Sequence, residues 1–125
     1  MLYAILCYAS EDVFSSWTKE QDDEVMSNLF TVQEKYAKAG KLGPVARLLP
    51  TTSATTLRKA RGEEALVIDG PFAETKEQLL GFYTVECDDL EEAVGFAREL
   101  SDANPGSGCY EIRPVGVLNP VPATI

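Results

Sequence analysis

The order of the apolar runs leaves this chain few folds to choose from. Residues 2–8 form an unbroken apolar run with β-branched and aromatic members, the pattern of a central strand covered on both faces. A helical segment follows. Thr18 and Gln21 have the spacing of a capping box, Val25, Leu29, Val32 and Tyr36 recur at intervals of three and four, and Gly40 supplies the stop. Residues 42–49 then read as a strand interrupted near Pro44. In the second half, residues 80–87 make a strong strand with Phe82 and Tyr83 on opposite faces. Asp89 and Glu92 open a helix with Leu90, Ala93, Val94, Ala97 and Leu100 on one side, Asn104-Pro105-Gly106 ends it, and residues 110–115 read as the closing strand. Between the halves, residues 55–59 and 64–69 flank Arg61-Gly62-Glu63 as a hairpin.

A βαβ unit, an inserted hairpin and a second βαβ unit amount to a split βαβ arrangement of the α+β class, with both helices on one face of an antiparallel sheet. The other face would show water either Tyr83 and Val85 or Phe82 and Thr84. That is more apolar surface than a small domain carries alone, so the pattern predicts a homodimer paired through that face.

At 125 residues the chain is expected to form one domain, 1–125, with a core over 1–117. Asn119, Pro120, Val121 and Pro122 give residues 118–125 the donor-poor character of an extended tail. Twenty acidic against eleven basic residues leave a net charge of -9, and the basic residues are scattered, so nucleic acid is not expected as a partner. No stretch approaches the ~18 apolar residues of a membrane span, and no secretory leader pattern precedes the first strand. A cytoplasmic protein without membrane attachment is the expectation. Three cysteines at irregular spacing and no histidine make neither a metal-ligand pattern nor an even disulfide framework, and no cofactor motif is present.

The densest polar feature is Asp69-Gly70-Pro71-Phe72-Ala73-Glu74-Thr75-Lys76-Glu77. Residues 65–68 read as a short buried strand, Asp69-Gly70-Pro71 as the turn that stops it, and residues 74–77 as one polar helical turn. A carboxylate where a buried strand meets a turn is partly desolvated, which would suit Asp69 as a general base; the alternative is that it accepts hydrogen bonds from its own turn. Gly70 and Pro71 read as backbone-shaping residues. Glu111 and Arg113 share one face of the last strand, where Arg113 is a candidate anion clamp or the partner of Glu111 or Asp69 in an ion pair. Arg58 offers a second positive group on the hairpin. Lys76 and Glu77 stand as cavity-mouth or solvated residues, and Tyr3, Tyr8 and Tyr83 as core aromatics or hydroxyl donors. Cysteine nucleophile chemistry lacks the adjacent base it needs.

The run from Asp69 to Leu79, together with Tyr3, Ala54-Thr55-Thr56-Leu57-Arg58, Gly81-Phe82-Tyr83, Asp89-Leu90-Glu91-Glu92-Ala93 and Glu111-Ile112-Arg113-Pro114-Val115, resembles the DGPF branch of the YCII-related proteins. Residues 10–16 and the tail after Val115 lie outside the resemblance. It implies a ferredoxin-like α+β fold, pairing of two subunits through their sheets into a dimeric α/β barrel, and an accessory role in transcription regulation by alternative sigma factors. In the wider group a His–Asp pair has been taken as the catalytic element of lyase-type chemistry. This chain has Asp69 and no histidine to partner it. The ferredoxin-like strand order would also bring Cys7 near Cys109 on neighbouring strands.

Three functions follow as expectations. The first is a homodimeric small-ligand-binding or regulatory module whose cavity is lined by Asp69, Phe72, Tyr83, Glu111 and Arg113, with Arg58 nearby, and takes a small anionic ligand. The second is a lyase or isomerase in which Asp69 abstracts a proton and Arg113 orients the substrate. The third is a structural dimerisation protein.

Overall fold

A computed structural model describes residues 1–120. The elements run β1 (Leu2–Ala9), α1 (Glu11–Ser15), α2 (Lys19–Lys38), β2 (Leu42–Arg47), a 3-10 turn (Thr51–Ser53), β3 (Thr55–Arg58), β4 (Leu66–Asp69), β5 (Gln78–Glu86), α3 (Leu90–Ala103) and β6 (Cys109–Pro114). β2, β5, β1 and β6 form one antiparallel sheet in that order, and β3 pairs with β4 apart from it. The strand order is compatible with a ferredoxin-like fold.

Local chemistry sets the long helices. Thr18 Oγ1 accepts from the Gln21 amide while Gln21 Oε1 accepts from the Thr18 amide, closing the capping box. At the other end Gly40 takes φ +73°, its amide donates to Ala37 O and that of Lys41 to Tyr36 O, the paired bonds of a Schellman stop. Asp89 caps α3 by accepting from the Glu92 amide.

Both long helices lie on one face of the sheet. Val25 and Leu29 of α2 and Ala93, Phe96, Ala97 and Leu100 of α3 pack on Tyr3, Ile5, Tyr83 and Val85. Phe96, fully buried, is the centre of this layer: the Tyr36 ring sits 4.4 Å from it and the Tyr83 ring meets it edge-on at 5.7 Å. The opposite face carries Ala4 and Leu6 of β1, Phe82 and Thr84 of β5, and Glu111 and Arg113 of β6, a set fixed by the registers Leu6↔Phe82, Ala4↔Thr84, Leu6↔Glu111 and Ala4↔Arg113. No helix covers it.

Several expectations are corrected here. β1 is central, yet only its Tyr3–Ile5 face is buried within the chain, because both helices fall on one side. Of the two pairs left open for the uncovered face, the structure selects Phe82 and Thr84, with Tyr83 and Val85 under the helices. β4 is not buried: every residue from Leu66 to Asp69 is exposed, since the hairpin pairs only with itself. Residues 74–77 form no helical turn, with bends only at Lys76 and Glu77; Thr75 Oγ1 instead donates to Glu77 O ahead of β5. Leu90, at the first position of α3, is exposed, and Phe96 takes the core place. Cys7 and Cys109 do lie on neighbouring strands, but Cys7 pairs with Tyr110 and Tyr8 with Cys109, so the two thiols project from opposite faces and all three cysteines are free. The expected tail lies outside the described residues beyond Pro120.

Candidate functional site

The one-sided sheet creates a hollow at the end of the helix layer. Gly81 of β5 pairs with Cys7 and Arg47, leaving one small side chain and one absent side chain side by side on the helix-facing surface. Larger residues are excluded at 81: a Cβ there would fall 2.3 Å from the Ala46 carbonyl oxygen, because β2 runs close against it. Arg47 at one end of this row turns to Asp22 of α2 and Tyr110 stands at the other end, so no bulk rises from its Cys7–Gly81 middle. A cavity of about 150 Å³ remains, floored by Cys7, Tyr83 and Tyr110 and walled by Val25, Met26 and Leu29 of α2.

The wall on the third side comes from a segment that the sequence reading left blank. Ser10 caps α1 by accepting from the Asp12 amide, and Phe14 and Trp17 then stand an edge-to-face 6.4 Å apart over the opening. Glu11 fastens this helix. Its Oε2 accepts from the Thr51 amide at 2.8 Å, its other oxygen accepts from the Thr51 hydroxyl, and its own amide donates to Gln78 Oε1 at 2.9 Å. At the rim Arg47 and Asp22 form a two-pronged pair, the closer contact at 3.0 Å. The legible signals were Ser10 followed by Glu11 and Asp12, an N-cap with acidic first turn, and two aromatics three residues apart.

The floor holds its protons. Burial pushes the Cys7 thiol and the Tyr83 and Tyr110 phenols up to about 12 each, so all three are neutral at ordinary pH. Gln33 of α2 lines the same cavity as Tyr83 and adds an uncharged polar side chain to it. Charge is confined to the rim, where Arg47, Asp22 and Glu11 are already engaged.

Of the hydroxyl donors singled out in the sequence, Tyr8 and Tyr83 line this cavity, whereas Asp69, Phe72, Arg58, Glu111 and Arg113 do not. Glu111 and Arg113 are exposed on the opposite face, and the ion pair weighed between them is not formed: Glu111 accepts from the Tyr8 hydroxyl at 3.3 Å. Asp69, Phe72 and Arg58 belong to the hairpin. Asp69 is exposed at the end of β4, so the desolvation expected for it is absent within the chain. Gly70 adopts φ +102°, its amide donates to Ala54 O, its carbonyl accepts from the Thr56 hydroxyl, and the Arg58 guanidinium donates to Phe72 O at 3.0 Å. The Asp69–Phe72 turn is thus clamped to β3 through main-chain groups, and Arg58 is one of the clamps.

A YCII-related domain matches residues 1–119. The chain belongs to the YCII-related family. An uncharacterized protein of Rhizobium meliloti (strain 1021) is similar to this YCII-related chain, with 62% identity over 120 residues that cover 96% of each. Among the described residues, no helix of the YCII-related chain is long and apolar enough to cross a membrane.

Proposed function

We propose that this YCII-related chain, of the DGPF branch, is a homodimeric module that binds a small molecule in the cavity over Cys7, Gly81 and Tyr83. The observation that carries the reading is the cavity itself: a hollow of about 150 Å³ left beside a fully packed layer, with neutral polar groups at its floor. The Glu11 contacts hold α1 beside its mouth.

Pairing through the uncovered sheet face supports the same reading, since Leu6 and Phe82 lie side by side there with no helix over them. In such a pair Glu111 and Arg113 would line the space between the two sheets, a second location for an anion. Asp69, Phe72 and Arg58 would serve through the clamped hairpin.

The test is thermal unfolding against a library of small molecules. Compounds that raise the Tm of the wild type should lose that effect in Leu29→Phe, which fills the hollow, and keep it in Arg113→Ala. Stabilisation that survives Leu29→Phe and vanishes in Arg113→Ala would move the site to the sheet-to-sheet space.

A further inference from the structure

The cavity's size, ring content and charge distribution define the ligand more narrowly than "small molecule"; this step rests on the binding reading just given. Phe14, Trp17, Tyr83 and Tyr110 are among the six aromatic residues that line the space. A volume of about 150 Å³ lined by apolar groups is that which admits a single benzene-sized ring in a protein interior. α1, on one side of that space, is held by Glu11 to both Thr51 and Gln78.

Charge decides the polarity. Arg47 is spent on Asp22 and Glu11 on Thr51, both at the rim, and the floor offers Cys7, Tyr83 and Tyr110 as neutral groups. A carboxylate or ammonium reaching the floor would leave its hydration shell with no opposite charge to meet it, at a cost that outweighs ring contacts. A neutral ring loses nothing comparable and gains edge-to-face contact with the lining aromatics. One polar group is accommodated, because the Tyr83 hydroxyl and the Gln33 amide both line the cavity and between them offer donor and acceptor atoms.

We propose that the cavity between α1, α2 and the Cys7–Gly81–Tyr110 row binds a neutral single-ring aromatic molecule bearing one hydroxyl group, of the phenol class. The polar group lies against Tyr83 and Gln33 and the ring against Phe14 and Trp17.

Trp17 is the chain's sole tryptophan and lines the site, so its emission, excited where phenols do not absorb, reports occupancy directly. Phenol, benzoate and cyclohexanol are titrated into the intact protein. Phenol is expected to give a saturable change, with benzoate and cyclohexanol at least tenfold weaker. Leu29→Phe should abolish the phenol response. Tyr83→Phe, which removes only a hydroxyl, should weaken phenol several-fold and leave the Tm close to wild type, so a failure of the bulkier variant to fold does not remove the test. Benzoate binding more tightly than phenol, in a manner still lost in Leu29→Phe, would overturn the ligand class and leave the cavity as a binding site. If no probe saturates and a broad ligand screen also gives no Leu29→Phe-sensitive stabilisation, the binding reading falls with it.

Discussion

Tyr83 and Arg113 project from opposite faces of one sheet. Tyr83 pairs in register with Ile5, beneath the helices, and Arg113 with Ala4, on the uncovered side. A ligand that touches the Tyr83 phenol within one chain therefore cannot also be held by Arg113, and the two residues divide any binding function between separate spaces. Arg113→Ala is expected to leave the phenol titration of Trp17 within twofold of wild type. Isothermal titration of the same variant checks this, and a tenfold loss would place both residues on one ligand.

Gly81 holds the cavity open through a backbone contact, so its replacement acts on the fold before it acts on the ligand. Gly81→Ala forces the Ala46 carbonyl, 2.3 Å from the new Cβ, and the whole of β2 to give way. Overpacking of this kind costs about 1–3 kcal/mol, read as a lower urea midpoint with an unchanged slope. Gly95, on α3 with nothing within 4 Å of its added Cβ, is the control. Gly95→Ala should be neutral or stabilising by up to about 1 kcal/mol from helix propensity.

The buried thiols and phenols make stability fall on the alkaline side. Cys7, Tyr83 and Tyr110 keep their protons up to about 12 in the native state and Cys87 up to about 11, all by burial, whereas the unfolded chain releases them near the ordinary values of ~8.5 for a thiol and ~10 for a phenol. Unfolding therefore releases protons, and raising the pH favours it. The contribution is whole below about pH 8 and is lost progressively as pH climbs through the unfolded values toward those of the native groups. Urea midpoints measured from pH 7 to 11 should decline, and the decline between pH 8 and 10 should be shallower in Cys7→Ala.

Glu99 works in the other direction. Hydrogen bonds from Lys35 and from the Tyr36 hydroxyl hold its carboxyl below the usual glutamate range, so the stability it adds is present above the unfolded value of ~4.3 and is lost as pH falls through the lowered native one. Glu99→Gln is expected to flatten the acid limb of the stability profile below pH 5 and to change little at pH 7 to 8 beyond a loss of about 0.5–1.5 kcal/mol for the weakened hydrogen bonds.

The elements were largely legible because each carries its own local chemistry. Thr18 with Gln21, Gly40, and Asp89 with Glu92 mark helix ends by side-chain and backbone groups only a few residues apart. Which sheet face the helices choose is decided by packing across the chain. The reading of residues 80–87 accordingly left Tyr83 and Phe82 as equal candidates, and Phe96 against Tyr83 settles the matter. The site was illegible for the same reason. Its hollow arises from a pairing of Cys7 with Gly81 and from α1, a five-residue helix too short to show a periodic stripe. Apolar composition misled at residues 65–68, where Leu66, Val67 and Ile68 are exposed on a two-stranded hairpin.

That exposed hairpin and the bare sheet face bear on the proposed dimer. Leu57 pairs with Val67 in register and both are exposed, at 65% and 71%, while a two-stranded hairpin alone is marginal in water. If the sheet face provides the pairing surface, Leu6→Lys, between Phe82 and Glu111, places a charge at its centre and should convert a particle of twice 13.6 kDa into a monomer in sedimentation velocity. Leu57→Lys should leave the mass unchanged if the hairpin lies outside the interface, and should dissociate the particle as fully as Leu6→Lys if the hairpin is the pairing element. A wild type that sediments as a monomer at all concentrations up to about 100 µM, a Kd range of roughly -5.5 kcal/mol or weaker, would remove the dimer altogether.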